Sequence, residues 1–510
     1  MHTYDYVVVG GGSAGCVLAA RLSEDPDLRV CLVEAGPPDT SENVHVPSAF
    51  GKLFRTSLDW DYDTHDEPRC DNRRIYLPRG RVLGGTSSMN AMVYIRGHRA
   101  DYDEWGQPGW SYAELLPYFL RSEDNERGAG RYHGVGGPLS VSGRPVPQSD
   151  DPGLRGRRRL GRVSGQLGLQ RRRAGRLRRV PGHPAGRPPV QHGRGFPAPG
   201  AAPAQPHPAD RSPGAPDHPG RGRGHRAGGR RFGAEITLRA EREVILAAGA
   251  YNSPQLLMLS GIGPADLLRA LDIPVWLDQP EVGANLQDHP QVNLNFVHDE
   301  PVSLLVAGEP GNVREYVLHR RGPLASNGPE VGGFVRTEPG LPAPDVQFHV
   351  APMMFPEGGL GVPTDHALSY GACVLRPRST GAVRIATDDP TAKPRIVHNY
   401  YADPADLDVA VRGLRIGLDI ARQGPLARYT GSSISLRSPN RTVTCAPMSG
   451  GTRRPCSTRS EPAPWGPLWT VSCACSVWTA CGWWMPQSCR PWCVATPTRR
   501  SSPSPRRPPT

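Results

Sequence analysis

The sequence predicts an α/β fold over most of the chain, on three observations. Residues 1–148 alternate strand-like and helix-like patterns, as strands packed against helices do. A glycine-rich run joins the first strand-like segment to the first helix-like one. The ordered pattern returns at Phe232 and continues to about Leu436. Between Asp151 and Gly229, and again after about residue 437, apolar periodicity is absent.

The elements follow in order. Residues 4–9 (YDYVVV) read as a buried parallel strand. They run into Gly10-Gly11-Gly12-Ser13-Ala14-Gly15, and residues 16–22 read as a helix. This is G-x-G-x-x-G with the strand before it and the helix after it that the motif requires. Gly10 permits the tight turn, Gly12 lets backbone approach a pyrophosphate, and Gly15 lets helix and strand pack closely. The helix start, at Ser13 and Ala14, offers N–H groups and partial positive charge to phosphates. A second strand, residues 30–33, leads to Glu34, which stands roughly 20 residues past the glycines and can bond both ribose hydroxyls of an adenosine. The context predicts a dinucleotide site, with FAD and NAD unseparated at this point. Later, residues 234–238 and 243–246 read as strands, the second leading through Ala248 to Gly249 and a helix start.

Composition narrows the partners. The 510 residues carry a formal charge of +12. Residues 151–230 hold 18 Arg against 3 Asp, with no Lys or Glu, so that stretch alone is +15 and the rest is −3. An Arg-rich nucleic-acid binder would have its footprint there. The stretch has one aromatic, Phe196, and no recognisable folded module, so no nucleic-acid partner is expected. Seven of the eleven Cys and six of the ten Trp lie beyond residue 444. Their spacing lacks the paired C-x2-C and His ligands of a zinc site, and no metal is expected. No apolar run reaches the roughly 18 residues of a membrane span. The chain enters its first strand without a basic leader, which predicts a cytoplasmic protein.

Two longer motifs separate the possibilities. Gly80-Arg81-Val82-Leu83-Gly84-Gly85-Thr86-Ser87-Ser88-Met89-Asn90 places small residues and N–H groups where backbone can lie against a flat ring and a phosphate. Gly249-Ala250-Tyr251-Asn252-Ser253-Pro254 continues through Leu259 to Ser260-Gly261-Ile262-Gly263, and Val282–Pro290 (VGANLQDHP) follows. These segments resemble the signatures of the glucose-methanol-choline (GMC) oxidoreductases, in that family's order and spacing, over about 1–148 and 232–436. Within it, the N-terminal third looks most like choline dehydrogenases and related bacterial alcohol dehydrogenases. Another flavin or NAD oxidoreductase would share only the first glycine motif. A disulfide reductase would also need a Cys pair near the flavin, which Cys16, Cys31 and Cys70 do not form.

The resemblance implies a Rossmann-like FAD-binding domain with an inserted α+β substrate domain built on an antiparallel sheet. The expected division is 1–150 and 231–300 for the FAD domain and 301–436 for the substrate domain, with 151–230 and 437–510 aberrant. FAD contacts are expected at Gly10, Gly12, Ser13, Ala14, Gly15, Glu34, Val82, Gly84, Gly85, Asn90 and Ala250. Some family members link a His before the Asn covalently to flavin. Met89 stands there, so FAD is expected to be held non-covalently. The implied reaction takes a primary alcohol, choline-like or other, to an aldehyde, with hydride passing to flavin N5 and electrons leaving to O2 or a carrier. Residues 301–323 and 348–355 are expected pocket walls. His98, His133, His289 and His398 are expected to be structural or solvent-facing, since no partner spacing supports a triad or metal site.

The family's base is a His near the C-terminus, in a segment like HPVGTCxMG, with a His or Asn partner some forty residues later in a segment like GNTNAP. After Ala427 this chain has no His. With GC-rich codons, residues 454–466 (RPCSTRSEPAPWG) read two bases later can spell ALFHPVGTCAMG. In the same frame, residues 469–500 can spell a stretch ending in GNTNAP. Residues 170–209, read one base forward, can spell a family-like segment as well. The chain is therefore expected to be a GMC enzyme translated out of frame at about 151–230 and 437–510, with no catalytic residue in the chain itself.

Overall fold

The computed structural model describes residues 2–143 and 234–430, and the strands Leu177–Arg179, Ala202–Pro203, Gln205–His207, His225–Arg231, Ser433–Ser438 and Arg441–Thr444. The tail in which the catalytic segments were expected lies outside the described residues.

The first sheet forms around the N-terminal strand. β1 (His2–Val9) leads into α1 (Ser13–Leu22) and then β2 (Val30–Glu34). β1 pairs in parallel with β2 on one side and with β3 (Ala234–Leu246) on the other. Alternation sorts its side chains to two covered faces. Val7 and Val9 join Cys31, Val33, Leu238 and Ala240 on one. Val8 joins Leu32 beneath Cys16 and Ala19 of α1 on the other.

β3 is one strand of 13 residues, where the sequence reads as two. Tyr4 pairs with Ala240 and Tyr6 with Glu243, so Asp5 faces two residues of β3. This bulge interrupts the period-2 pattern. β3 also pairs antiparallel with His225–Arg231, from His225 opposite Ala240 to Arg231 opposite Ala234. That strand (HRAGGRR) precedes Phe232, where order was expected to resume. Its text has no apolar alternation, and backbone pairing alone defines it. β3 leads into α2 (Gly249–Leu259).

The second sheet is antiparallel in every described pair, as expected for the substrate domain. Its centre is β4 (Gln291–Val297), β5 (Val331–Val335), β6 (Val346–Ala351) and β7 (Ala367–Val374), in the spatial order β4-β7-β6-β5. The sheet thus takes in β4, upstream of residue 301. α3 (Pro404–Ala421) covers one face. Leu294, Phe296, Val346, Phe348, Val350, Leu368, Tyr370 and Ala372 form the core there with Ile420 and Ala421. Gly413 and Gly417 bring the helix close: a Cβ on Gly413 would lie 3.1 Å from Val346, and one on Gly417 3.0 Å from Tyr370.

Candidate active site

The first two glycine segments meet backbone to backbone at the C-terminal ends of β1, β2 and β3. Gly10 has φ +104°, and a Cβ there would lie 2.5 Å from Ala247 O. A Cβ on Gly15 would lie 1.8 Å from Gly10 O, so α1 reaches β1 only without one. Gly12 differs. A Cβ there would meet only Gly85 Cα within 4 Å, at 3.9 Å. Gly12 is the N-cap of α1, with no side-chain cap and no acidic residue in the first turn, and uncapped N–H groups of that kind suit an anion. Ser13 is half-buried, its Oγ bonded to Ser87 Oγ, and Ala14 is exposed.

The second segment folds as a tight turn over the first. Gly84 N donates to Gly11 O (2.8 Å), and Gly85 N donates to Val82 O (2.7 Å). Val82 is buried. Leu83 N donates to Pro37 O (2.9 Å), which ties the turn to the loop after β2. Asn90 is buried, and its Oδ1 accepts from Met92 N (3.0 Å). Met89 is 2% exposed and sits in an apolar cluster with Val44, Phe50, Leu53, Phe54, Tyr76, Ala351 and Phe355. Ala250 is exposed in the first turn of α2, whose N-cap, Ala248, makes no side-chain cap. Ala247 N donates to Val9 O (2.7 Å) and holds that helix start beside Gly10. The structure thus gathers Gly10, Gly12, Ser13, Ala14, Gly15, Glu34, Val82, Gly84, Gly85 and Ala250 at one sheet edge, with Asn90 at the end of the adjoining turn.

Glu34 is buried at that edge. Its Oε2 accepts from Gly11 N (2.7 Å) and its Oε1 from Gly36 N (2.8 Å). Burial outweighs these bonds and raises the carboxyl to about 6. Each carboxylate oxygen retains acceptor capacity for a further donor.

The second sheet has a buried polar face opposite α3. It carries Gln291, Asn293 and Asn295 on β4, Gln347 and His349 on β6, and Ser369 on β7. Cross-strand pairing makes rows of them: Gln291 opposite Cys373 and Gln347, Asn293 opposite Gly371 and His349, Asn295 opposite Ser369 and Ala351. Ala351 shares its cluster with Met89 and Ala91, so this face looks toward the second glycine segment. Asn295 Oδ1 accepts from Phe355 N (3.0 Å) and Ser369 Oγ (2.5 Å). Burial, with His289 nearby, pushes the His349 imidazole down to about 4, so it is neutral near pH 7. Of the expected wall 348–355, His349 and Ala351 lie on this face, whereas Phe348 turns into the α3 core. Sequence reading missed the amides. The strict alternation in β4 (QVNLNFV) was the signal that could have found them.

The four weighed histidines separate. His98 Nδ1 caps the helix Arg99–Asp103. His133 is partly exposed, 3.1 Å from Glu123. His398 is buried and His289 is half-buried. His398 Nε2 lies 2.9 Å from Tyr251 Oη, which also accepts from Arg79 Nη2 (2.9 Å). Asp288 accepts from His289 N (2.8 Å) and Tyr400 Oη (2.9 Å), with His398 Nδ1 at 4.0 Å. Burial lowers His398 to about 4. This network, unseen in the sequence, ties the residue before the second glycine segment to the first turn of α2. Among the described residues no three His, Cys, Asp or Glu side chains group as a metal site, and no helix is long and apolar enough to cross a membrane.

Comparison with known proteins agrees with this layout. A family model described as GMC oxidoreductase matches residues 4–162 and 222–291, and a second with the same description matches 377–457. An uncharacterized GMC-type oxidoreductase of Mycobacterium tuberculosis is 41% identical over 452 residues, covering 84% of this chain and 82% of that protein. Mouse mitochondrial choline dehydrogenase is 37% identical, over 84% of this chain and 75% of its own length. Among solved structures, a formate oxidase of Aspergillus oryzae superposes with TM-score 0.72 at 26% identity, over 83% of this chain and 82% of that one. A pyridoxine 4-oxidase from Mesorbium loti does so with TM-score 0.70 at 26% identity, over 88% and 84%. The chain belongs to the GMC oxidoreductase family.

Proposed function

We propose that this protein is built to oxidise the CH–OH group of a small alcohol, with non-covalently held FAD as the hydride acceptor. The observation that carries the reading is the meeting of both glycine segments and two uncapped helix starts at one edge of the parallel sheet. Those residues fit the cofactor. Gly12 leaves room for a pyrophosphate against N–H donors, and Glu34 has acceptor capacity for ribose hydroxyls. The second turn offers small residues to a flat ring. Met89 supports non-covalent attachment, since a buried thioether forms no such link. FAD, when bound, supplies the hydride-accepting centre. The chain's own residues bind it, orient it and keep water from it.

The base belongs to the expected HPVGT segment. A neutral imidazole suits that role because its pKa lies near working pH, and it is worth about 10²–10⁴ in rate. No His follows Ala427, so the 510-residue chain is expected to be inactive and the frame-restored one active. The codons beneath residues 454–466 test the frame directly. Expressing both forms against a panel of alcohols, with and without O2, tests the reaction. Comparable turnover by the unrestored chain would overturn the placement of the base in the tail.

A further inference from the structure

The backbone that leaves the second glycine segment is strained. Met92 has φ +53°, in the left-handed region that side chains rarely adopt. Of the described non-glycine residues with positive φ, only Met92 and Tyr401 are buried. Methionine has no short polar group with which to stabilise that conformation locally. Residues 91–98 belong to no helix or strand, so no ladder imposes it either. Such a conformation persists only where its surroundings over-determine it.

Two side chains do so here. Asn90 Oδ1 accepts from Met92 N (3.0 Å) and closes a turn over Ala91. From 236 residues further along the chain, Asn327 Nδ2 donates to Ala91 O (2.9 Å). Both asparagines are buried, as are Ala91 and Met92, and a buried carbonyl that loses its donor is unfavourable. Asn327 is itself firmly presented. It follows the short helix Pro323–Ala325. Beyond it, Gly328 N donates to Ser326 Oγ (3.2 Å), Ser326 Oγ donates to Glu330 Oε1 (2.8 Å), and Glu330 N donates to Val350 O (3.0 Å) on β6. The lead into the second sheet thus reaches the end of the second glycine turn through one amide.

We infer that Asn327 is a positioning residue for the cofactor: its hydrogen bond to Ala91 O keeps Met92 left-handed, and so holds the Asn90 carboxamide in place at the cofactor edge. This rests on the reading of that edge as the FAD site. Asn327 acts through Asn90 and requires no contact of its own with FAD. Without its donor, Met92 relaxes to an extended conformation, Met92 N leaves Asn90 Oδ1, and the carboxamide rotates. Glycine at position 92 has no such strain to relieve, so with it the turn stands without Asn327.

Dissociation constants for FAD are measured by fluorescence titration of the full-length, frame-restored chain after removal of its flavin. Asn327→Leu, which has a similar shape and no donor, should weaken FAD binding at least about tenfold, about 1.4 kcal/mol. Asn327→Ala serves in its place if leucine prevents folding. Met92→Gly alone should stay within about threefold of the parent, and added to Asn327→Leu it should bring the affinity back to that level. Met92→Gly also deletes a buried side chain and lowers Tm, so affinity that recovers while Tm falls separates positioning from plain stability. Parental affinity in the Asn327 variant, or a loss that Met92→Gly leaves uncorrected, overturns the inference and leaves the FAD site standing. A parent that binds no FAD overturns the reading of the edge, and the inference with it.

Discussion

The cofactor edge and the polar sheet face are built by opposite means. At the edge of the first sheet, backbone meets backbone. Gly10, Gly15 and Gly85 sit where a Cβ would strike another main chain, at 2.5, 1.8 and 2.7 Å. On the face of the second sheet, side chain meets side chain. There a tight glycine, Gly371, faces the amide groups of Gln291 and Asn293. Main-chain contacts tolerate no substitution, whereas side-chain contacts tolerate some and set selectivity. A cofactor common to a family suits the first kind of site, and a substrate that varies suits the second.

Substitutions in the frame-restored chain can break this contrast. Gly15→Val should cost about 4 kcal/mol or more, the range of a core clash with no relief, and yield little soluble protein. Gly12→Val, three residues away, should fold with a Tm near that of the FAD-free parent and fail to retain FAD, because its side chain enters only the cradle. Normal flavin absorbance in the purified Gly12→Val protein would show the cofactor to be misplaced. Gly371→Ala should fall between, losing about 1–3 kcal/mol to overpacking while keeping its flavin. Denaturant melts and flavin content read both effects.

Titration sharpens the same comparison. Glu34, raised to about 6, is protonated below that pH in the cofactor-free protein and ionised above it. Ribose hydroxyls donate to the ionised form, so FAD affinity should be flat above pH 6 and weaken below it, by up to about tenfold per unit. Glu34→Gln should remove the dependence in a fluorescence titration of FAD. A parental profile unchanged from pH 7 to 5 would place the ribose elsewhere. The smallest effect is expected at Met89. Met89→Leu should change stability by less than about 1.5 kcal/mol. In both proteins acid should release all flavin to the supernatant, and flavin left on the precipitate would contradict non-covalent binding.

The two regions also differ in how legible they were. Gly10–Gly15 and Gly80–Asn90 are contiguous text whose spacing states their geometry, and the structure brings the two segments together. β3 was read as two strands because a bulge opposite Asp5 shifts the alternation. The strand His225–Arg231 went unread because its pairing needs no apolar pattern. Gln291 and His349 are far apart in sequence and come to share one face only through the β4-β7-β6 pairing. Their alternation marks a face, but not what that face looks toward.

The position of β1 has a consequence for how the protein is made. It leaves the ribosome ahead of every other described strand, and it ends as an inner strand whose β3 neighbour lies more than two hundred residues later. At typical synthesis rates that partner follows by roughly 10–45 s. Throughout that interval one edge of a strongly apolar strand waits unpaired. Nascent chains should therefore depend on holding factors until β3 emerges, and a ribosome stalled before that point should carry a chain prone to pair with its neighbours.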